Sequence, residues 1–164
     1  MSIAKGILNE LEHEAKVTRE LLSRVPNKPD YRPHPKSMPM GLLAGHIAEM
    51  AQWGVSIVKE DVFVFDPAKY TPLNCKNGKE ATDAYDKGIR EFRAALGKAT
   101  DADLQKTWKM VVGDKTFMER PRVAVIRDML LNHIIHHRAQ LGVYLRMNDV
   151  PLPQTYGPSA DEGM

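Results

Sequence analysis

Three of the six histidines in this 164-residue chain lie within one short stretch, at His133, His136 and His137. Residues four apart on an α-helix project from the same face, one turn apart. On a helix, His133 and His137 can therefore hold one metal ion between their ring nitrogens, at the roughly 2.0–2.1 Å that is typical of zinc–histidine bonds. A site of this kind needs at least one more ligand from another part of the chain.

His46 is the third candidate ligand, because it lies on an apolar helical stripe, as the other two histidines do. The stripes run through Leu42, His46, Trp53 and Ile57, and through Val123, Ile126, Leu130, His133, His137, Leu141 and Tyr144. Two helices can present ligands to one point in a bundle interior. The alternative is that these are core histidines satisfied by hydrogen bonds. A metal ion satisfies three ring nitrogens at once, whereas an interior without one must provide partners for all six.

Two further residues are candidates for catalysis at such a site. Glu49 lies one turn after His46 and could orient a ligand or act as a base, the alternative being a surface carboxylate. Tyr144 lies two turns after His137 and could donate a proton, the alternative being a core residue. His136 lies about 100° around the helix from His137 and is expected to flank the site or face solvent.

Other polar residues are expected to lie outside the chemistry. Arg138 and Gln140 could support a ligand, but solvated side chains are the default for both. His13 and His34 are interpreted as surface residues. Cys75 is the only cysteine and has no basic neighbour except Lys76, which makes it a poor catalytic thiol.

Four segments with helical periodicity must position these residues. They span roughly residues 3–24, 40–60, 79–98 and 121–147, and loops rich in proline or glycine separate them. Ser2 can cap the first helix, and Pro26 and Pro29 end it. Amphipathic helices of this length predict an all-α fold, a four-helix bundle. The long loops on either side of the second helix allow a topology other than simple up-down-up-down.

Three segments are less regular. Residues 62–65 form an apolar run that is too short to assign, and it could be a strand, a lid or a dimer contact. Residues 108–112 could be a short extended piece that turns at Gly113. The tail from residue 151 to 164 contains three prolines and is expected to be an irregular strap.

Composition limits the classes of function. Lys and Arg number 23 and Asp and Glu number 21, so the charge balance gives no reason to expect nucleic acid or an anionic membrane as partner. No apolar run approaches the ~20 residues that span a bilayer, and no signal-peptide core is visible. A single cysteine cannot form an internal disulfide, and a cytoplasmic location is expected. The length predicts one domain over residues 1–164.

Two segments resemble the signatures of the DinB/YfiT-like superfamily. They are residues 40–48, MGLLAGHIA, and residues 132–141, NHIIHHRAQL, and the similarity extends along the chain to residues 150–153 and 156–162. The resemblance implies a four-helix bundle with long crossover connections, usually a homodimer. It also implies a metal held by His46, His133 and His137. The family's usual Arg-Gly-Gln after the last ligand is Arg138-Ala139-Gln140 here, a change that should not harm ligation.

The resemblance also implies a class of activity. Characterised relatives include metal-dependent transferases and isomerases that use low-molecular-weight thiols, and some hydrolases. We therefore expect a divalent ion, zinc, nickel or iron, bound by three neutral imidazoles, with open positions for a small-molecule substrate. The rival interpretation is a non-catalytic dimeric bundle whose metal is structural or adventitious.

Overall fold

Helices form the main body of the protein, which is described by a computed structural model over residues 1–163. The long helices are α1 (Ile3–Ser23), α2 (Met40–Lys59) and α3 (Gly78–Leu96). The last long helix has three parts: α5 (Arg122–Ile126), a π-helical turn (Arg127–Asn132) and α6 (His133–Arg146). A short helix α4 (Asp101–Gln105) and the strands β1 (Val62–Phe65), β2 (Thr107–Val112) and β3 (Lys115–Pro121) complete the elements described.

Side-chain caps explain where several helices begin. The Ser2 hydroxyl accepts a hydrogen bond from the Lys5 backbone N–H, as the sequence predicts for the start of α1. Asn77 caps α3 in the same way. At the start of α4, Thr100 and Asp103 form a reciprocal capping box. This cap stabilises a helix of only five residues.

A three-stranded sheet corrects the prediction of an all-α fold. The strand order is β1-β2-β3, with β1 parallel to β2 and β2 antiparallel to β3. The β2–β3 hairpin turns at Gly113, whose φ of 57° lies in the left-handed region that glycine adopts without strain. Residues 62–65 are thus a strand, but its partner lies far along the chain, and local periodicity gives no sign of such pairing.

The last helix also differs from its prediction. The segment Arg127–Asn132 is π-helical, so the hydrophobic pattern does not follow one continuous 3.6-residue period. The helix ends at Arg146, and Asp149 then takes a left-handed conformation with φ of 57°. Because His133 follows the π-helical turn directly, this turn sets the direction in which α6 presents its histidines.

Helix α2 lies in the middle of the core and packs against α3, α5 and α6. Glycines on α2 allow close approach. A Cβ at Gly45 would lie 1.8 Å from the carbonyl oxygen of Leu73, and one at Gly54 would lie 2.8 Å from the Phe92 ring. The first contact seats the loop that follows β1 directly on α2, beside His46. Over residues 1–163, no helix is long and apolar enough to cross a membrane.

The tail is the irregular strap that its prolines predict. Between residues 151 and 163 it has neither helix nor strand, and Met164, the last residue of the predicted strap and domain, lies outside the described residues. Two ion pairs hold the tail: Arg24 with Glu162, and Arg146 with Asp161, each at 2.5 Å. The tail therefore lies across the ends of α1 and α6.

Candidate metal centre

The structure brings together the three histidines that the sequence singles out. His46 comes from α2, and His133 and His137 come from successive turns of α6. One ring nitrogen of each lies within 4.8 Å of the other two, and all three side chains are partly buried. Because two neighbouring helices carry the three rings, the packing of α2 against α6 fixes their separation.

The rings of His133 and His137 face each other through their Nε2 atoms, which lie 2.9 Å apart. Nδ1 of His137 lies 2.7 Å from Oε1 of Gln140. The backbone of Met129 lies beside the His133 ring and opposes the lowering of its pKa. With the Nδ1 proton of His137 directed to Gln140, the Nε2 lone pair of His137 faces Nε2 of His133. Either a proton shared between the two rings or a cation bound between them satisfies this arrangement.

The π-helical turn lies directly beside the cluster. The segment Arg127–Asn132 departs from the regular i→i+4 hydrogen-bond pattern of an α-helix, and His133 is the first residue after it. Such turns are frequent at functional sites. The backbone of Met129, within the turn, lies beside the His133 ring.

A buried carboxylate completes the surroundings of His46. Oε1 of Glu49 lies 3.7 Å from Nδ1 of His46, and only 9% of the Glu49 residue surface is exposed. The Tyr70 hydroxyl donates to Oε1, and the Leu73 backbone N–H donates to Oε2 at 3.3 Å. The surface-carboxylate alternative for Glu49 is therefore wrong. Two donors from the loop after β1 hold the carboxylate beside the histidine ring.

Tyr70 belongs to the site although the sequence analysis did not select it. Its ring packs against Trp53 at 6.1 Å and against Phe65 at 5.4 Å between centroids. Burial, and then the hydrogen bond to Glu49, raise the pKa of the Tyr70 hydroxyl well above its ordinary value. The residue lies in an irregular loop, where no periodicity indicates which way a side chain points.

Burial keeps two of the candidate ligands neutral. The pKa of His133 is lowered by loss of solvation and then by the neighbouring His46. The pKa of His137 is lowered to about 4, chiefly by burial, although its bond to Gln140 opposes the shift. Neutral imidazole is the form that binds a metal ion. At neutral pH the cluster therefore needs no deprotonation of these two rings before it can accept a cation.

Tyr144 lies away from this cluster. Its hydroxyl donates to the carbonyl oxygen of Met38 at 3.0 Å, and its ring meets the edge of Tyr31. Seven residues of helix separate it from His137, which is about 10 Å along the axis. The contacts seen here anchor the segment before α2. A role for Tyr144 as proton donor stays a prediction.

Arg138 departs most from its expected place. It is 3% exposed rather than solvated, and its guanidinium contacts Glu14 at 2.7 Å, the Thr18 hydroxyl at 3.1 Å and the Tyr156 hydroxyl at 2.6 Å. The side chain thus ties α6 to α1 and to the tail. Because Arg138 directly follows His137, these contacts also hold the part of α6 that carries this candidate ligand.

Two other residues agree with their expected places. His136 is exposed, with its ring 4.8 Å from that of His137. Cys75 is buried, and burial, followed by the nearby Glu80 and Glu49, raises the pKa of its thiol to about 11. A thiol with so high a pKa is a weak nucleophile at neutral pH.

A helical bundle with a small sheet and a half-buried cluster of three histidines defines the class of this protein: a bundle with a candidate metal centre. The chain belongs to the DinB family, whose model matches residues 1–163. No curated protein matches the sequence.

Solved structures agree in fold. A DinB-like protein from Bacillus cereus has a TM-score of 0.70 at 23% identity, covering 93% of this chain and 97% of that one. A DinB-like protein from Bacillus subtilis has a TM-score of 0.69 at 20% identity, with 92% and 97% covered. A member from Exiguobacterium sibiricum has a TM-score of 0.65 at 15% identity, with 94% and 97% covered.

Proposed function

We propose that His46, His133 and His137 bind one divalent metal ion through their Nε2 atoms. The observation that carries this proposal is the convergence of one ring nitrogen from each histidine within 4.8 Å, with the Nε2 atoms of His133 and His137 facing each other at 2.9 Å. Metal-binding histidines commonly donate their second ring N–H to a carbonyl or carboxylate oxygen, which orients the ring. Gln140 holds Nδ1 of His137 at 2.7 Å, and the Glu49 carboxylate lies 3.7 Å from Nδ1 of His46.

The ligand set favours a catalytic ion. Three protein ligands with open positions are typical of catalytic rather than structural zinc, and nickel and iron also accept imidazole. A bound divalent ion supplies a positive charge that lowers the pKa of a water molecule or thiol at an open position. The hydrophobic core is built from apolar residues of all the long helices, so we expect the helices to stay packed when the ion is removed.

We propose further that the protein is a metal-dependent enzyme acting on a small molecule, either a thiol-dependent S-transferase or isomerase, or a hydrolase. Glu49 is the protein group best placed to accept a proton there, since its carboxylate lies beside His46 and is held by two donors. Both reaction classes need a nucleophile that is deprotonated near neutral pH, and both need a base to receive that proton.

Assembly and location are also proposals. We propose a homodimer that uses the outward face of β1, where Val62 and Val64 are 49% and 68% exposed. The single cysteine favours a reducing compartment, and we propose the cytoplasm. Light scattering at tens of micromolar should give a particle near twice 18.5 kDa, and a clean monomer would contradict the dimer.

The test of catalysis is a chelator titration of tag-free, metal-loaded protein. Circular dichroism follows the helices, while two probe reactions follow activity: transfer of glutathione or cysteine to 1-chloro-2,4-dinitrobenzene, and hydrolysis of p-nitrophenyl acetate. We expect one reaction to disappear as the metal is removed, with the helical signal retained. Loss of the helical signal together with the metal would indicate a structural ion and contradict the catalytic proposal.

A further inference from the structure

An aromatic groove lies directly beside the histidine cluster. We define it by Trp53 of α2, Phe63 and Phe65 of β1, and Tyr70 of the following loop, which line one depression together with Val64, Asp66 and Lys69. The rings contact one another in tilted and edge-on arrangements, with centroids 5.4–6.4 Å apart. All four side chains remain partly exposed. The groove is therefore an apolar surface that the fold has assembled but has not fully covered.

The groove is joined to the cluster at one end. The Trp53 ring lies 6.2 Å from the His46 ring, between centroids, and meets it at 83°. The Tyr70 hydroxyl, at the same end, donates to Glu49 beside His46. Polar groups thus converge at the histidines, and the aromatic rings form an apolar wall toward Phe63, with the paired Asp66 and Lys69 also lining the depression. Ligand sites commonly combine a few convergent polar groups with an apolar wall in this way.

The side chains of β1 divide between this groove and the proposed dimer face, and Val64 contributes to both. Side chains alternate along a strand, so Phe63 and Phe65 point to one side and the more exposed Val62 and Val64 to the other. The phenylalanines pack toward the core, and Phe63 stacks on Trp108 at 6.2 Å. A second copy of the chain on the valine face would therefore border the groove at Val64, while the four aromatic rings lie on the other side of the strand or beyond it.

We infer that the aromatic groove binds an apolar, ring-sized part of the substrate while a polar head group of the same molecule lies at the histidines. This inference rests on the proposed metal site and names the substrate class: a small molecule with a polar, metal-binding end and an apolar tail. Covering a phenyl-sized tail removes enough apolar area from water to tighten binding by roughly tenfold to a hundredfold.

The test compares two metal-binding probes that differ only in the tail. Acetohydroxamate and benzohydroxamate are titrated calorimetrically into the Zn²⁺-loaded protein, and each dissociation constant is scaled to that of the probe with free Zn²⁺. We expect benzohydroxamate to bind at least about tenfold more tightly. The Phe65→Ala variant should reduce this advantage to about threefold or less while leaving the affinity for acetohydroxamate unchanged.

The matched control is Phe117→Ala, which deletes the same ring from β3, where the side chain is 67% exposed and outside the groove. It should leave the phenyl advantage intact. A second readout keeps all four groove side chains and replaces only the ring on which Phe63 stacks. In a Trp108→Phe background, Trp53 is the only tryptophan, and benzohydroxamate but not acetohydroxamate should alter its fluorescence. Trp108 suits this replacement because its indole N–H has no hydrogen-bond partner within residues 1–163.

The possible failures are distinguishable. Equal affinity of the two probes for the wild-type protein would overturn the groove as a binding site and leave the metal site standing. An undiminished phenyl advantage in Phe65→Ala would also overturn it. Failure of the protein to retain Zn²⁺ and to bind either hydroxamate would instead contradict the proposed metal centre, and the inference would fall with it.

Discussion

The guanidinium of Arg138 lies 2.7 Å from the carboxylate of Glu14, and the two side chains are only 4% and 10% exposed. The Tyr156 hydroxyl joins the pair, accepting from Arg138 and donating to Glu14 at 2.9 Å. Charges so deeply buried are tolerated only when they are paired and hydrogen-bonded. The pair therefore connects α1, α6 and the tail on the side of α6 that lies behind His137.

Removing one member of this pair should be strongly destabilising. We expect Arg138→Met to lower the free energy of unfolding by about 3–5 kcal/mol, because it leaves the Glu14 carboxylate buried and unpaired. The double variant Arg138→Met with Glu14→Leu should lose less than the single variant. Urea unfolding of the wild type, the single variant and the double variant measures both losses in the free energy of unfolding. A loss below about 1 kcal/mol for Arg138→Met would show that the pair is not a buried unit.

A glycine on α2 should also be sensitive to substitution, for a steric reason. In Gly45→Ala the new methyl would lie 1.8 Å from the Leu73 carbonyl oxygen, so the loop that holds Glu49 must move. We expect a loss of about 2 kcal/mol or more in the free energy of unfolding. Gly142→Ala is the matched control, since that helical position is open and alanine favours a helix by up to about 1 kcal/mol. Similar effects of the two changes would contradict the close contact.

The stability of the metal-free protein should depend on pH through His133 and His137. Their pKa values are lowered in the folded state, to about 4 for His137, so the unfolded chain binds more protons at intermediate pH. The contribution of these two rings to the free energy of unfolding is fully present above about pH 6.5, the pKa of histidine in the unfolded chain. It is lost as the pH falls toward 4. The difference in the free energy of unfolding between pH 7.5 and pH 5, measured with urea, should be smaller in His137→Gln than in wild type.

The exposed His136 provides the control for this pH dependence. His136→Gln removes an imidazole of the same type one position away, at a site open to solvent. It should leave the difference between pH 7.5 and pH 5 close to that of wild type. If His136→Gln and His137→Gln flatten the profile equally, burial of His137 is not the cause.

Much of the site was predictable because its main residues lie on helices. The spacing of His133 and His137 and the apolar stripe through His46 both depend on the 3.6-residue period, which sequence displays directly. The π-helical turn shifts that period within the last helix without separating the two histidines, because both follow it. Local geometry was therefore sufficient to identify the cluster.

The remaining features depend on contacts between distant parts of the chain. The parallel pairing of β1 with β2 joins Val64 to Val111, and the partner of Arg138 lies on α1. Tyr70 reaches Glu49 only because the loop after β1 is seated on α2 at Gly45. No local pattern in one sequence encodes these partners. The extended piece that turns at Gly113 was expected, and a strand was one alternative for residues 62–65. Their pairing into a sheet, the buried ion pair and the role of Tyr70 were missed.

The central claim is tested most directly by measuring the metal content of variants that each lack one histidine. Tag-free wild type, His46→Ala, His133→Ala, His137→Ala and His136→Ala are each equilibrated with Zn²⁺, desalted and analysed by elemental mass spectrometry, with circular dichroism as the check on folding. We expect about one ion per chain in wild type and in His136→Ala, and loss of most of it in the other three folded variants. Equal metal content in all five proteins would contradict a centre built from His46, His133 and His137.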